Sequence, residues 1–282
     1  MEWMNRRLEY RSLEYRNNKI QDGEIEGEGK RGEENIVEYR DSLQVIASSI
    51  KKAQSFYVLT GAGISTESGI PDFRSPGTGL WEKIDPMEYA TTSVLKRDPE
   101  TFYKVVYPRF ANLLSAQPNK GHLALTELEE KGYLKGIITQ NIDGLHNKAG
   151  SRKVWEVHGH TRTCLCVICD REYPLELISS QIEEDIIPPL CRECNHPLRP
   201  NIVLFGDPMS LDYEEAYQAV KKSCDFLLVV GSSLTVFPVS QIPSHAKKLA
   251  IINIQPTGYD DQAVAVIREK AGKTLTHLLE YF

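Results

Sequence analysis

Cysteine is the residue type whose spacing is most specific in this chain. Five of the six cysteines fall between positions 164 and 194, and the sixth, Cys224, stands alone. Cys166-Val-Ile-Cys169 is followed by 21 residues and then by Cys191-Arg-Glu-Cys194. Two such knuckles supply four thiolates for a tetrahedral zinc ion, and four protein ligands leave no open position for substrate. The spacer is one residue above the usual range, which a longer loop tolerates. Cys166, Cys169, Cys191 and Cys194 are therefore expected to hold one structural, non-catalytic Zn²⁺. Cys164 has the wrong spacing for a knuckle and is taken as a bystander, and Cys224, just before an apolar run, as a small buried hydrophobe. Bunched thiols in a chain of 282 residues fit metal binding in a reducing compartment better than a disulfide framework.

A second set of residues combines glycine with polar side chains at the ends of apolar runs. Gly61-Ala62-Gly63-Ile64-Ser65 follows Phe56–Thr60 and leads to Pro71-Asp72-Phe73-Arg74. Glycines one residue apart let backbone approach a pyrophosphate, which then sits on the following helix N-terminus. Thr66 occupies the third glycine position of the ordinary dinucleotide fingerprint, so a plain structural turn competes with that reading until the aromatic and guanidinium of Phe73 and Arg74 are added. Thr139-Gln140-Asn141-Ile142-Asp143 ends a second run. The Gln140 and Asn141 amides can hold sugar hydroxyls or a water and Asp143 can accept from a carboxamide, although an Asx turn would explain the same residues. In Val154-Trp155-Glu156-Val157-His158-Gly159-His160 either histidine suits a general base near neutral pH, and Gly159 leaves His158 uncrowded. Gly231-Ser232-Ser233 again offers glycine and hydroxyls to phosphate or ribose, and Asn253 can bind a ribose. Pro200–Asp207 is extended and apolar, either core or an edge to which a peptide adds as a strand.

These groups need a scaffold that brings strand ends together. The runs 56–60, 136–139, 226–230 and 249–254 are short and rich in β-branched or aromatic residues, as buried parallel strands are. Helical patterns between them, over Gly121–Lys131 and Tyr213–Lys222, predict an α/β fold: a Rossmann-like doubly wound parallel sheet with ligands at the strands' carboxyl ends. Residues 41–161 and 202–282 are assigned to that domain, with a helical insertion over about 72–118 and a zinc-binding module over 162–201. Asp41 is the expected N-cap of the first helix. Residues 1–40 are expected to be a flexible extension, either disordered or a loosely docked helix, because their apolar content is too scattered to bury a face.

Composition narrows the partners. The formal net charge of −6 argues against nucleic acid, and the zinc module carries few clustered bases. No run reaches the roughly 18 apolar residues of a membrane span, and the charged N-terminus leads into no apolar signal region, so a cytoplasmic location away from membranes is expected.

Taken together, the motifs at 61–65, 69–74, 139–143, 158–159 and 231–233 and both cysteine pairs resemble the sirtuin family in order and spacing, over roughly residues 41–282. The resemblance implies a transferase-type enzyme that uses NAD as co-substrate to remove acetyl, and other neutral acyl groups, from protein lysine. It implies that Ala62, Gly63, Asp72, Phe73 and Arg74 form the cofactor loop, and that Gln140, Asn141, Ile142 and Asp143 line the nicotinamide and ribose pocket. Gly231, Ser232 and Ser233 would hold phosphate and ribose, and Asn253, Ile254 and Ala271 adenosine. Val203, Phe205, Gly206 and Val236 would line the acyl-lysine tunnel and pair with substrate. His158, as base, and Asn141 are the implied catalytic residues; the resemblance, not spacing, selects His158 over His160. The implied products are nicotinamide, free lysine and O-acyl-ADP-ribose. Protein mono-ADP-ribosylation from the same pocket, or a non-catalytic NAD or ADP-ribose scaffold, are the alternatives. Members that act on succinyl or malonyl groups carry a Tyr-x-x-Arg pair; here Tyr103 precedes Val106 and Tyr107 stands two before Arg109.

Overall fold

The computed structural model describes residues 24–72, 85–111, 113 and 115–282; Phe73, Arg74 and residues 1–23 of the extension lie outside the described residues. The chain divides into two compact units, Met1–Arg40 and Asp41–Phe282. Helix α1 (Glu24–Lys52) contains residues of both. It starts well before the expected N-cap: Asp41 is an exposed residue inside the helix, and the Glu, Lys and Arg residues before it are good helix formers that offset the glycines among them. Within the second unit Leu43, Ile46, Ala47 and Ile50 are buried, the i, i+3, i+4, i+7 stripe of an amphipathic helix.

The main sheet of that unit has six parallel strands in the order β3-β2-β1-β7-β8-β9. They are β1 (Phe56–Thr60), β2 (Leu134–Thr139), β3 (Val154–Glu156), β7 (Phe226–Val230), β8 (Leu249–Ile252) and β9 (Val266–Ile267). The four runs named from sequence supply β1, β2, β7 and β8. Strands β3 and β9, three and two residues long, are too short to show a period and were not expected. The chain builds outward from β1 to β2 and β3 on one side, then returns through β7 to the other, so the order reverses between β1 and β7. Thr60 is level with both Thr139 and Val230, and Val230 with Ile252. Gly61, Gln140, Gly231 and Asn253 therefore leave four adjacent strands at one height. In open α/β sheets this crevice is where ligands bind.

The cysteine segment forms a separate antiparallel sheet, β5-β4-β6, from β4 (Gly159–Cys166), β5 (Glu172–Pro174) and β6 (Leu198–Ile202), with α3 (Glu176–Glu183) beside it. Phe102, Tyr103, Val106 and Tyr107 of the preceding helical stretch share one apolar core with Cys164, Leu175, Ile178 and Leu198. Two hydroxyls seal that packing: Tyr103 donates to the Leu198 carbonyl at 2.5 Å, and Tyr107 lies 2.7 Å from Ser179 Oγ. Helices α2 (Lys120–Glu130), α4 (Leu211–Ser223) and α5 (Ala271–Leu279) are the other longer helices of this unit among the described residues. Among the described residues no helix is long and apolar enough to cross a membrane.

Helix α2 begins with a capping box in which Asn119 Oδ1 accepts from Gly121 N at 2.8 Å and His122 Nδ1 accepts from Asn119 N at 3.3 Å. The same Asn119 side chain donates to Ile64 O and Ser68 Oγ, tying the cap to the loop after β1. His122 is fully buried against His146, with ring centroids 4.8 Å apart. Burial pushes the His122 pKa down to about 4, and His146 is depressed by burial and then by His122. Between about pH 4 and the ordinary 6.5 the unfolded chain binds protons that the folded chain does not. Stability is therefore present above pH 6.5 and lost as pH falls, by about 3 kcal/mol from His122 alone at pH 4. Urea midpoints at pH 5 and 7 check this. His146→Gln, which can keep the 3.0 Å bond to Thr60 Oγ1 without titrating, should flatten the slope; an unchanged slope would remove His146 from the account.

Candidate active site and zinc centre

Two glycine loops meet at the point where the strand order reverses. A Cβ on Gly63 would lie 2.7 Å from Gly231 Cα, and one on Gly231 would lie 2.4 Å from Ile64 N. Gly231 also has φ +63°, open to glycine without strain. The backbones are clamped by Gly63 N donating to Gly231 O at 2.8 Å. These glycines thus serve loop-to-loop approach. The loop after β1 then makes two short 3₁₀ turns, Ala62–Ile64 and Thr66–Ser68, where a helix N-terminus was expected to seat a pyrophosphate.

Hydrogen bonds tie this loop to the end of β2. Asn141 Nδ2 donates to Gly61 O and Ser65 Oγ, both at 3.1 Å, and Ser65 Oγ donates to Asp143 Oδ2 at 2.7 Å. Asp143 Oδ1 accepts from Leu145 N at 2.9 Å. Burial pushes the Asp143 carboxyl above its usual range, while the Leu145 and Ser65 donors pull the other way. Gln140 Nε2 reaches Ser232 Oγ at 2.8 Å, joining β2 to β7, and Ile142 O accepts twice from Thr161, joining the loop to β4. Ser65 is the residue that sequence reasoning missed: it sits inside the quoted motif at 61–65, but its bond to Asp143 spans 78 positions.

The two histidine candidates now separate. His158 Nδ1 lies 3.0 Å from the Gln140 carbonyl, which can only accept. Nδ1 therefore carries the proton and Nε2 presents its lone pair, the tautomer of a base. Burial lowers the His158 pKa, only partly offset by that hydrogen bond, so the ring is neutral near pH 7. His160 Nδ1 is buried without a partner among the described residues, and the pKa of His160 is lowered by burial and then by Arg162.

The remaining candidates differ in burial and in hydrogen-bond partners. Ala62 and Asp72 are partly buried, and Ser233 Oγ lies 2.9 Å from Thr235 Oγ1. Asn253 Nδ2 donates to Gln255 O, Ile254 is exposed, and Ala271 is buried at the start of α5. Glu67 accepts from Gly272 N at 2.6 Å, so the first loop also grips α5. Val203 N donates to His158 O at 2.8 Å, and Val236 is partly buried beyond β7. Gly206 turns the chain at φ +89°. Phe205 differs from expectation as a strand edge: its N donates to Ala90 O and its O accepts from Thr92 N, so residues 90–92 already occupy its backbone.

Both expected ligands can be tested against these residues. Asn141 Oδ1 is buried and unpartnered among the described residues, an acceptor whose counterpart a ribose hydroxyl or water would supply. The four knuckle sulfurs lie within 4.8 Å of one another, and three of their separations are 3.3, 3.5 and 3.7 Å. A tetrahedral ion with Zn–S bonds of about 2.3 Å requires edges of about 3.8 Å, so one zinc fits. Cys164 is buried outside that group.

The Sir2 family profile matches residues 61–238, more than half of the chain. The chain belongs to the Sir2 family. The NAD-dependent protein deacetylase 2 of Caldanaerobacter subterraneus subsp. tengcongensis is 50% identical over 243 residues, which cover 86% of this chain and 97% of that protein. Among solved structures, a Sir2 protein with a deacetylated p53 peptide and 3′-O-acetyl ADP ribose is similar with a TM-score of 0.79 at 35% identity, over 84% of this chain and 97% of that one. A Sir2–p53 peptide–NAD⁺ structure gives 0.75 at 35% identity, over 83% and 95%. The matched residues 61–238 include both glycine loops and the four-cysteine group.

Proposed function

We propose that this chain is a NAD-dependent protein deacetylase that frees acetylated lysine side chains and yields nicotinamide and O-acetyl-ADP-ribose. The observation that carries the reading is the pinned tautomer of His158 beside the Asn141–Ser65–Asp143 chain, at level strand ends in a protein half identical to a deacetylase.

NAD, when bound, supplies the ribosyl carbon that accepts the acyl oxygen as nicotinamide departs. Each residue role follows from its geometry. Asn141 Nδ2 is held by two acceptors, which turns Oδ1 toward a ribose hydroxyl or the water that completes the reaction. Asp143, fixed by Ser65 and Leu145 N, accepts from the carboxamide. Gln140 and Ser232 brace each other at the ribose and phosphate end, with Gly231 and Ser233. Ala62, Gly63, Asp72, Phe73 and Arg74 cover the cofactor, and Asn253, Ile254 and Ala271 flank adenosine. His158 Nε2 takes the proton that the ribose hydroxyl releases. Val203 and Val236, with Phe205 and Gly206, form the apolar entrance for the acyl-lysine chain. Cys166, Cys169, Cys191 and Cys194 hold zinc, which cross-links the small sheet and takes no part in the chemistry. We assign residues 41–161 and 202–282 to the NAD-binding domain and 162–201 to the zinc module.

Neither tyrosine near the acyl-specificity stretch can serve a carboxylate. Tyr103 and Tyr107 are turned into the core with Leu198 and Ser179, and Arg109 donates to Val105 O. A succinyl chain would bury its charge without a partner, a cost of several kcal/mol. Incubated with NAD and matched peptides, the protein should therefore release O-acyl-ADP-ribose from acetyl-lysine with a specificity constant at least about tenfold above that for succinyl-lysine, a difference of ~1.4 kcal/mol. Mass spectrometry reads both outcomes. Comparable succinyl turnover would reveal a cation in the tunnel, and ADP-ribosylated protein in place of the small product would replace deacetylation with mono-ADP-ribosylation.

A further inference from the structure

Tyr173 stands on β5, opposite Cys164 of β4, in the hairpin that carries the first zinc knuckle. Its hydroxyl crosses to the second knuckle and lies 3.2 Å from Cys191 Sγ. Among the described residues it is the one non-cysteine side chain within hydrogen-bond reach of a knuckle sulfur. The other donors to these sulfurs include the Ile168 and Cys169 amides, which serve Cys166 in their own knuckle. Arg171 and Glu193 also join the two knuckles, but as an exposed ion pair 3.5 Å apart, which contributes little.

We infer that Tyr173 is a positioning residue for the zinc centre: its phenol donates to the Cys191 thiolate, fixes that ligand across the two knuckles and slows loss of the metal. The direction of the bond follows from the chemistry. A zinc-bound cysteine is a thiolate without S–H, so the phenol must donate and the sulfur accept. Four thiolates around one dication leave a net charge of −2, and a donor to one sulfur draws off part of that excess. The sulfur becomes a poorer target for protons and competing electrophiles, and its lone pair is held in the direction of the metal. Such outer partners are worth about 10–100-fold in metal affinity at other sites. Cys191 is buried while Cys169 is exposed, so the braced ligand is the one that anchors the set as the outer one opens.

The inference rests on the zinc reading, and the experiment separates the two. Zinc content per chain is measured first on the full-length protein, followed by the rate of zinc transfer to a chromogenic chelator. Tyr173→Phe, which removes one oxygen from a half-buried ring, should release zinc at least about tenfold faster. Arg171→Gln, which breaks the exposed pair, should stay within about twofold of wild type. In the cobalt-substituted protein the thiolate-to-metal charge-transfer band of Tyr173→Phe should move to longer wavelength, since an undonated sulfur gives up its electrons more easily; loss of packing alone has no such signature. If Tyr173→Phe is purified without metal, zinc titration should show the same loss as weaker affinity. A loaded wild type with equal release rates and an unshifted band overturns this inference alone. A wild type without zinc overturns the metal reading and this inference with it.

Discussion

His158→Ala should lower the rate of deacetylation by about 10²–10⁴-fold at saturating NAD and peptide, the range a positioned general base contributes. The substitution removes the Nε2 lone pair while sparing the His158 backbone carbonyl, which holds Val203 N at 2.8 Å. The Gln140 carbonyl loses the His158 Nδ1–H donor, which a water entering the vacated space can replace. Binding of NAD, read by titration calorimetry, should therefore change by less than about threefold. His160→Ala supplies the contrast: its Nδ1 has no partner among the described residues and it stands beside Arg162, so its loss should leave most of the turnover. A His158→Ala protein with near wild-type turnover, or a His160→Ala protein that is the more impaired, would overturn the assignment.

The pH profile tests the same residue independently. Burial lowers the His158 pKa from its ordinary 6.5, so the neutral, proton-accepting form persists to lower pH than for a free imidazole. Activity should hold through neutrality and fall only as pH drops through the lowered value, with the acid limb below 6.5. An acid limb above 6.5 would mean that a neighbouring carboxylate, not burial, governs this ring.

Much of this site was legible because its residues follow apolar strands directly. Phe56–Thr60 and Phe226–Val230 are buried at every position, and such runs announce both a central strand and the loop where its polar residues emerge. The cysteine knuckles were legible because the ligand geometry is local. What the sequence hid is long-range. Nothing near Gly63 says that its missing side chain makes room for Gly231, or that Ser65 bridges Asn141 to Asp143. Strand β3 gains its place from pairing with Ile137–Thr139 rather than from a pattern of its own, and the early start of α1 is a matter of helix propensity overriding a good cap. The engagement of Phe205 by Ala90 and Thr92 was invisible for the same reason, since backbone pairing across more than a hundred residues leaves no signature in either segment.

The cysteines give the sharpest contrast between neighbours in sequence. Cys164 and Cys166 lie on one strand two residues apart and are both buried, yet only Cys166 belongs to the four-sulfur group. Cys164 Sγ instead points at Pro174 O, 3.6 Å away, and burial pushes its thiol up to about 12, so it stays protonated at any working pH. A serine there can donate to the same carbonyl at a cost of order 1 kcal/mol. Cys164→Ser should accordingly retain one zinc per chain, lose at most a few degrees of Tm and remain active. In Cys166→Ala the metal loses a ligand and two amide donors, from Ile168 and Cys169, lose their acceptor. Loss of a structural metal belongs to the few single changes that exceed about 4–5 kcal/mol, which for a domain of this size corresponds to ~10 °C or more in Tm. Activity should fall with it, because β4, which carries Cys166, begins at Gly159 beside His158 and also anchors Ile142 through Thr161. Atomic absorption, thermal unfolding and turnover on the two variants decide the matter. Zinc lost from Cys164→Ser, or full activity in metal-free Cys166→Ala, would break the link between this module and the site it supports.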